Sequence, residues 1–167
     1  ALADLAGAWD VPEVTGALSL AADTAVQSAV RYLFRQAASK GDWLTDAPAT
    51  AADASGYIVL GMGKYGAREL NYSSDIDLII FYELEKARLR PGLEAPVFFV
   101  RLTRDLVKLL QETTVDGYVF RTDLRLRPDA GATQVALSTI AALDYYESCG
   151  QNWERAAMIK ARAVAGD

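Results

Sequence analysis

The chain has 167 residues, 51% hydrophobic and 23% charged, an ordinary globular balance with enough apolar matter for one substantial core. Its net charge of −5 argues against a landing surface for a nucleic-acid backbone or an anionic membrane. With no histidine and one cysteine, Cys149, it cannot build an internal disulfide, a Ser-His-Asp or Cys-His site, or histidine-ligated zinc. Carboxylates, Lys, Arg, Tyr and bound metals remain as the available chemistry. The lone cysteine, the lack of a long apolar run and the absence of a secretory pattern over residues 1–8 predict a cytoplasmic protein. Both ends read as cuts within something longer.

Asp10 and Glu13 have capping-box spacing around Pro12. They precede Val14, Leu18, Ala22, Val26, Val30, Leu33 and Phe34 at helical intervals, with a stop at Lys40-Gly41. This predicts a long amphipathic helix and an amino-terminal helical segment over residues 1–41, followed by a core region over 42–167 that reads as cut short at its C-terminal end. After a polar, alanine-rich connection, Tyr57-Ile58-Val59-Leu60 is too brief for a helix and reads as a buried strand.

The segment that follows, from Gly61 to Leu78, carries most of the chemical information. Gly61-Met62-Gly63-Lys64-Tyr65-Gly66 is a glycine-rich loop that leads directly into Asp75-Ile76-Asp77 at the head of a second apolar strand. On a strand, Asp75 and Asp77 project the same way. Two parallel carboxylates on a hydrophobic strand repel each other and resist desolvation, which calls for a cation, Mg²⁺ or Mn²⁺ being the obvious one. The loop also satisfies the bare dinucleotide-binding pattern, with Glu83 at a suitable distance. However, a Rossmann unit needs a crossover of a dozen or more residues, and residues 67–74 leave no room for one. A Walker loop fails because no Ser or Thr follows Lys64.

A Pro91-Gly92 turn leads to a helix whose predicted buried stripe is Phe99, Leu102, Leu106, Leu109 and Leu110. From Tyr118 to Arg127, alternation predicts a strand with Arg121, Asp123, Arg125 and Arg127 on one face, which makes Asp123 the candidate third carboxylate. Pro128 ends it. A short strand is expected over Gln134–Leu137, then helices over Ser138–Tyr146 and Gln151–Arg162. Three carboxylates with basic groups nearby is the usual arrangement for metal-assisted phosphoryl or nucleotidyl transfer.

These residues resemble the polymerase-β-type nucleotidyltransferase superfamily, and more narrowly the glutamine synthetase adenylyltransferase family. That family carries a Gly-x-Gly-Lys-x-Gly loop running into Ser-Asp-x-Asp-Leu. Asp123-Leu124-Arg125-Leu126-Arg127-Pro128-Asp129 and the stretch from Trp153-Glu154-Arg155 to Lys160-Ala161-Arg162 are similar to its later signatures. The resemblance implies an α+β, polymerase-β-like fold with a small mixed sheet packed with helices on one side. It also implies a protein with two catalytic halves. One attaches AMP from ATP to a tyrosine of glutamine synthetase; the other removes it with inorganic phosphate, releasing ADP. The Gly-Met-Gly-Lys wording, Ser73-Ser74-Asp75-Ile76-Asp77 and Met158-Ile159-Lys160 look like the removing half, with transfer from ATP and a non-catalytic nucleotide-binding regulatory domain as the alternatives. By the same resemblance, Asp75, Asp77 and Asp123 are catalytic and hold Mg²⁺ or Mn²⁺. Gly61, Gly63, Lys64, Ser73, Ser74, Arg125 and Arg127 contact phosphate or nucleotide. Glutamine synthetase and the PII signal protein are the implied partners.

Overall fold

The computed structural model describes residues 1–167. After a single turn, α1 (Leu2–Leu5), helix α2 (Val11–Ser39) starts at Asp10, whose carboxylate accepts the Glu13 N–H at 2.9 Å while Glu13 accepts the Asp10 N–H at 2.8 Å. This reciprocal cap fixes the start, and Gly41 at φ +75 ends the run just past Lys40. Helix α2 buries Ala22, Val26, Val30 and Phe34 in the same core cluster as the sheet and helix α4 (Ala95–Gln111), so the amino-terminal segment and the sheet share one hydrophobic interior. No helix is long and apolar enough to cross a membrane.

Strands β1 (Tyr57–Gly61) and β2 (Ile76–Tyr82) pair antiparallel, Gly61 opposite Leu78 and Tyr57 opposite Tyr82. Antiparallel pairing of consecutive strands across the glycine loop rules out the Rossmann unit, as the missing crossover predicts. The other edge of β2 carries two very short parallel partners end to end. These are β3 (Thr122–Asp123) beside Ile76 and Asp77, and β4 (Leu137–Ser138) beside Phe81 and Tyr82. Strand β5 (Arg162–Gly166) pairs antiparallel with β1 on the far side, completing a mixed five-stranded sheet of order β3-β2-β1-β5 with β4 also on β2.

Alternation along β2 sends Ile76, Leu78, Ile80 and Tyr82 under α2 and α4, and Ile79 and Phe81 to the opposite face. There a smaller cluster with Met62 and Ala142 is covered by α5 (Thr139–Ser148) and α6 (Asn152–Ala157). The two long helices thus cover one face, and a thinner layer lies on the other. Asp77 shares that second face, at the end where the covering stops.

Four expectations differ. The short strand expected over Gln134–Leu137 forms only as β4 at Leu137–Ser138. The strand predicted over Tyr118–Arg127 keeps only Thr122 and Asp123 in the ladder, because the chain bends away at Leu124. The helix predicted to reach Arg162 ends as α6 at Ala157, passes through a 3-10 turn at Met158–Lys160 and becomes β5; the open edge of β1 overrides the helix preference of an alanine-rich stretch. Leu109 is 41% exposed rather than part of the α4 stripe, whose buried members are Phe98, Phe99, Val100, Leu102, Thr103, Leu106 and Leu110.

At the centre of the main core, Phe34, Trp43, Tyr57, Tyr82, Phe98 and Phe99 form one aromatic cluster, with Tyr82 and Phe99 stacked at 4.5 Å. The single polar link is Tyr57 Oη to Thr103 Oγ1 at 2.8 Å, both residues buried. Burial holds the Tyr57 phenol well above its ordinary pKa, so the hydroxyl stays neutral and must find a partner. Thr103→Val keeps the shape and orphans that hydroxyl. The expected loss is about 1–3 kcal/mol in urea denaturation, with unchanged secondary structure.

Candidate active site

The site forms where the sheet's covering ends. Parallel pairing puts Asp123 directly beside Asp77 in register, and Asp75 lies two residues ahead of Asp77, just before β2 begins. The Asp77 carboxyl is held above the usual carboxylate range, first by desolvation and then by the charges of Asp123 and Asp75, against opposing pulls from Arg125 and Lys64. Two like-charged, adjacent carboxylates in a partly desolvated setting favour occupation by a cation, and their hard oxygen donors suit Mg²⁺ or Mn²⁺.

Resident cations already lie against the outer two. Arg125 donates from Nε and Nη2 to Asp123 Oδ2 at 2.8 and 2.5 Å, and its backbone N–H reaches Asp123 Oδ1 at 2.8 Å. These contacts, Arg125 foremost, hold the Asp123 carboxyl below its ordinary range, opposite to its neighbour Asp77. Arg121 donates from Nε to Asp75 Oδ1 at 2.6 Å and from Nη2 to the Ser73 carbonyl at 2.8 Å. No three acidic side chains converge on one point as a common ligand set. Asp77 and Asp123 are the pair that the fold joins, and Asp75 stands beside them in the grip of Arg121.

The glycine loop folds as one short turn, α3 (Gly63–Gly66), whose first turn no side chain caps. Gly63 has φ +53, and a Cβ there would lie 2.9 Å from Asp77 Oδ2, so the loop backbone passes directly over the carboxylate. Gly61 has a different job: a Cβ would strike the Tyr65 ring at 2.8 Å, which makes it a packing glycine at the end of β1. Lys64 is exposed beside Asp77 and lowers its pKa through charge alone.

The remaining expected contacts are distributed less favourably. Ser73 and Ser74 both donate their hydroxyls to Asn71 Oδ1, at 3.1 and 2.9 Å, and so build the turn before Asp75. Arg127, expected on the phosphate-facing side, is turned into the loop between β3 and β4. Its guanidinium donates to the carbonyls of Leu124 at 2.8 Å, Ala130 at 2.7 Å and Gln134 at 3.1 Å. The bend after Asp123 reverses the alternation, and the arginine satisfies carbonyls that the broken ladder leaves unpaired.

Two residues that bear on the site were not singled out for it in the sequence. Arg121 reads there as one more charge on a strand face, and only the turn at Ser73 brings Asp75 to it. Asp23 offers a faint signal, a carboxylate next to the apolar stripe of α2; it pairs with Arg162 at 2.9 Å.

All 167 residues match the family model described as glutamate-ammonia ligase adenylyltransferase. The chain belongs to that family. This adenylyltransferase-family chain is 58% identical over its whole length to a protein of Rhodopseudomonas palustris, 57% to one of Xanthobacter autotrophicus and 55% to one of Bradyrhizobium diazoefficiens. Each of the three is named a bifunctional glutamine synthetase adenylyltransferase/adenylyl-removing enzyme, and the chain spans 17% of the length of each. The small mixed sheet of five strands with six helices is compatible with a nucleotidyltransferase-like fold.

Proposed function

We propose that this chain carries the adenylyl-removing site of a glutamine synthetase regulator, which releases AMP from an adenylylated tyrosine by phosphorolysis. The observation that carries the reading is the register of Asp77 beside Asp123 with the Gly63 backbone laid over Asp77, in a chain that matches the family from end to end. The removing activity is favoured over the transferring one by the wording Gly61-Met62-Gly63-Lys64, Ser73-Ser74-Asp75-Ile76-Asp77 and Met158-Ile159-Lys160.

In this reading an oxygen of inorganic phosphate attacks the adenylyl phosphorus, the bond from phosphorus to the tyrosine oxygen breaks, and ADP leaves. The phenolate takes a proton from water, its conjugate acid having a pKa of about 10. Inorganic phosphate is already anionic near pH 7, so the step needs no strong base, in keeping with a chain that has no histidine. Asp77 and Asp123 would hold Mg²⁺ or Mn²⁺, with Asp75, now paired with Arg121, as the neighbouring carboxylate. A bound divalent ion there supplies charge neutralisation on the transferring group and on the leaving oxygen. Lys64 and Arg125 attract and orient the phosphate oxygens, the Arg125 side chain being 85% exposed while it holds Asp123. Gly63 lets the loop approach those oxygens closely. Arg127, Ser73 and Ser74 act on the shape of the site.

The test incubates adenylylated glutamine synthetase with the full-length protein, Mg²⁺ and phosphate. ADP appearing in step with loss of AMP from the tyrosine supports the proposal. AMP incorporation from ATP at this site assigns it to transfer instead, and neither product identifies a nucleotide-binding regulatory module. The PII signal protein is the regulatory partner that the family resemblance suggests.

A further inference from the structure

The carboxyl-terminal side of the glycine loop is gripped by a single arginine. Arg162, the first residue of β5, sits opposite Gly61, the last residue of β1. Its Nε donates to the Gly66 carbonyl at 3.2 Å and its Nη2 to the Tyr65 carbonyl at 3.2 Å, the two carbonyls at the end of α3. Its guanidinium carbon lies 5.5 Å from the centre of the Tyr65 ring. The other side of the same fork reaches Asp23 on α2, Nη1 to Oδ2 at 2.9 Å and Nη2 to Oδ1 at 3.0 Å. Asp23 is 9% exposed, between Ala22 and Val26 of the buried stripe of α2.

A buried ion pair of this kind is weak evidence for stability, since the cost of desolvating two charges offsets much of their attraction. What it does supply is geometry. A planar guanidinium with a carboxylate on one edge and two carbonyls on the other has one orientation. The loop cannot relax around it, because the Lys160 carbonyl occupies the place where a Cβ of Gly66 would be.

We propose that Asp23 and Arg162 are positioning residues, which lock the end of the glycine loop so that its beginning, at Gly63 and Lys64, is held over Asp77. Helix α2 thereby takes part in phosphate binding although it touches no reacting atom. The proposal rests on the phosphorolysis reading for its kinetic half only.

The experiment uses the full-length protein and its variants Asp23→Asn and Arg162→Lys, with Arg90→Ala as control, which breaks a pair with Asp42 that involves neither the glycine loop nor β5. Amide hydrogen exchange is read at Gly66, Ala67 and Glu69, whose N–H groups bond within the loop to Met62, Gly63 and Lys64. Both clamp variants are expected to speed exchange at these amides by about tenfold and to raise the KM for inorganic phosphate by a similar factor, with kcat within about twofold. Arg90→Ala moves neither. Folded clamp variants with wild-type loop exchange overturn the proposal. So does faster exchange spread evenly over the whole chain, or a fall in kcat at constant KM. Exchange requires no turnover, so a wild-type protein that releases no ADP sinks the phosphorolysis reading while the clamp is still measured.

Discussion

Replacing Asp77 by Asn is expected to cut the proposed ADP release by about 10³-fold and, in the same protein, to raise the melting temperature at pH 7. The loss corresponds to about 4 kcal/mol of transition-state charge stabilisation, the scale on which a misheld divalent ion acts. The gain has the opposite origin. The Asp77 pKa is raised in the folded state by desolvation, then by Asp123 and Asp75. The folded chain therefore holds that proton more tightly than the unfolded chain, and above both pKa values the ionised carboxylate costs stability. The cost fades as pH falls through the raised folded pKa, so the advantage of the Asn variant is full at neutral pH and shrinks on acidification. Millimolar Mn²⁺ supplies a second readout: it stabilises the wild type by mass action and leaves Asp77→Asn unmoved. Equal ADP release by the variant, or a lower melting temperature at pH 7, would contradict this account of the site.

Gly66→Ala should be among the most destructive single methyls in the chain, matched by Gly166→Ala, where a Cβ would overlap the Tyr57 carbonyl. A Cβ at Gly66 would overlap the Lys160 carbonyl and lie 2.5 Å from the Gly61 carbonyl, both backbone groups that cannot step aside without moving the Met158–Lys160 turn or β1. Overpacking against rigid backbone costs about 3 kcal/mol or more, which in a chain this size lowers the melting temperature by roughly 10 °C. Failure to accumulate in soluble form is the equivalent outcome in cells. Gly16→Ala provides the internal contrast. Gly16 lies inside α2, where an added methyl would meet nothing within 4 Å, so the same change there is expected to stabilise by about 0.5–1 kcal/mol. Denaturation midpoints that moved together, or a soluble Gly66→Ala chain of wild-type stability, would refute the close approach of the Met158–Lys160 turn to the loop.

Much of this fold can be read from local signals. The reciprocal cap of Asp10 and Glu13 marks the start of α2, and the apolar runs at Tyr57 and Ile76 mark β1 and β2, because these elements satisfy their own periodicity. Strand β5 is different. Arg162-Ala163-Val164-Ala165-Gly166 has a helical composition, and only the vacant edge of β1 makes it a strand. Register along the strand from Tyr118 is likewise a non-local property. Alternation puts Asp123 and Arg127 on the same face, whereas the ladder ends at Asp123 and sends Arg127 into a loop whose carbonyls need donors. At the candidate site, the motif brings Asp75, Asp77 and the glycines into one short stretch. Nothing in it says that Arg121 occupies Asp75, since that pair depends on where β3 lies against β2, whereas the hold of Arg125 on Asp123 is a local contact two residues apart.

The late arrival of β5 has a consequence for how the protein is made. Ile58 has its β2 neighbour within a short hairpin, but its other neighbour, Gly166, is translated roughly a hundred residues afterwards. On the ribosome, α2 and the β1-β2 hairpin emerge first with one flank of β1 bare. Until Ala163 and Ala165 come out to pair with it, that flank is a strand-pairing surface exposed to other nascent chains. Slow codons or a chaperone pause after β2 would therefore be felt as aggregation, and an intact edge as the sign that synthesis of this region has finished.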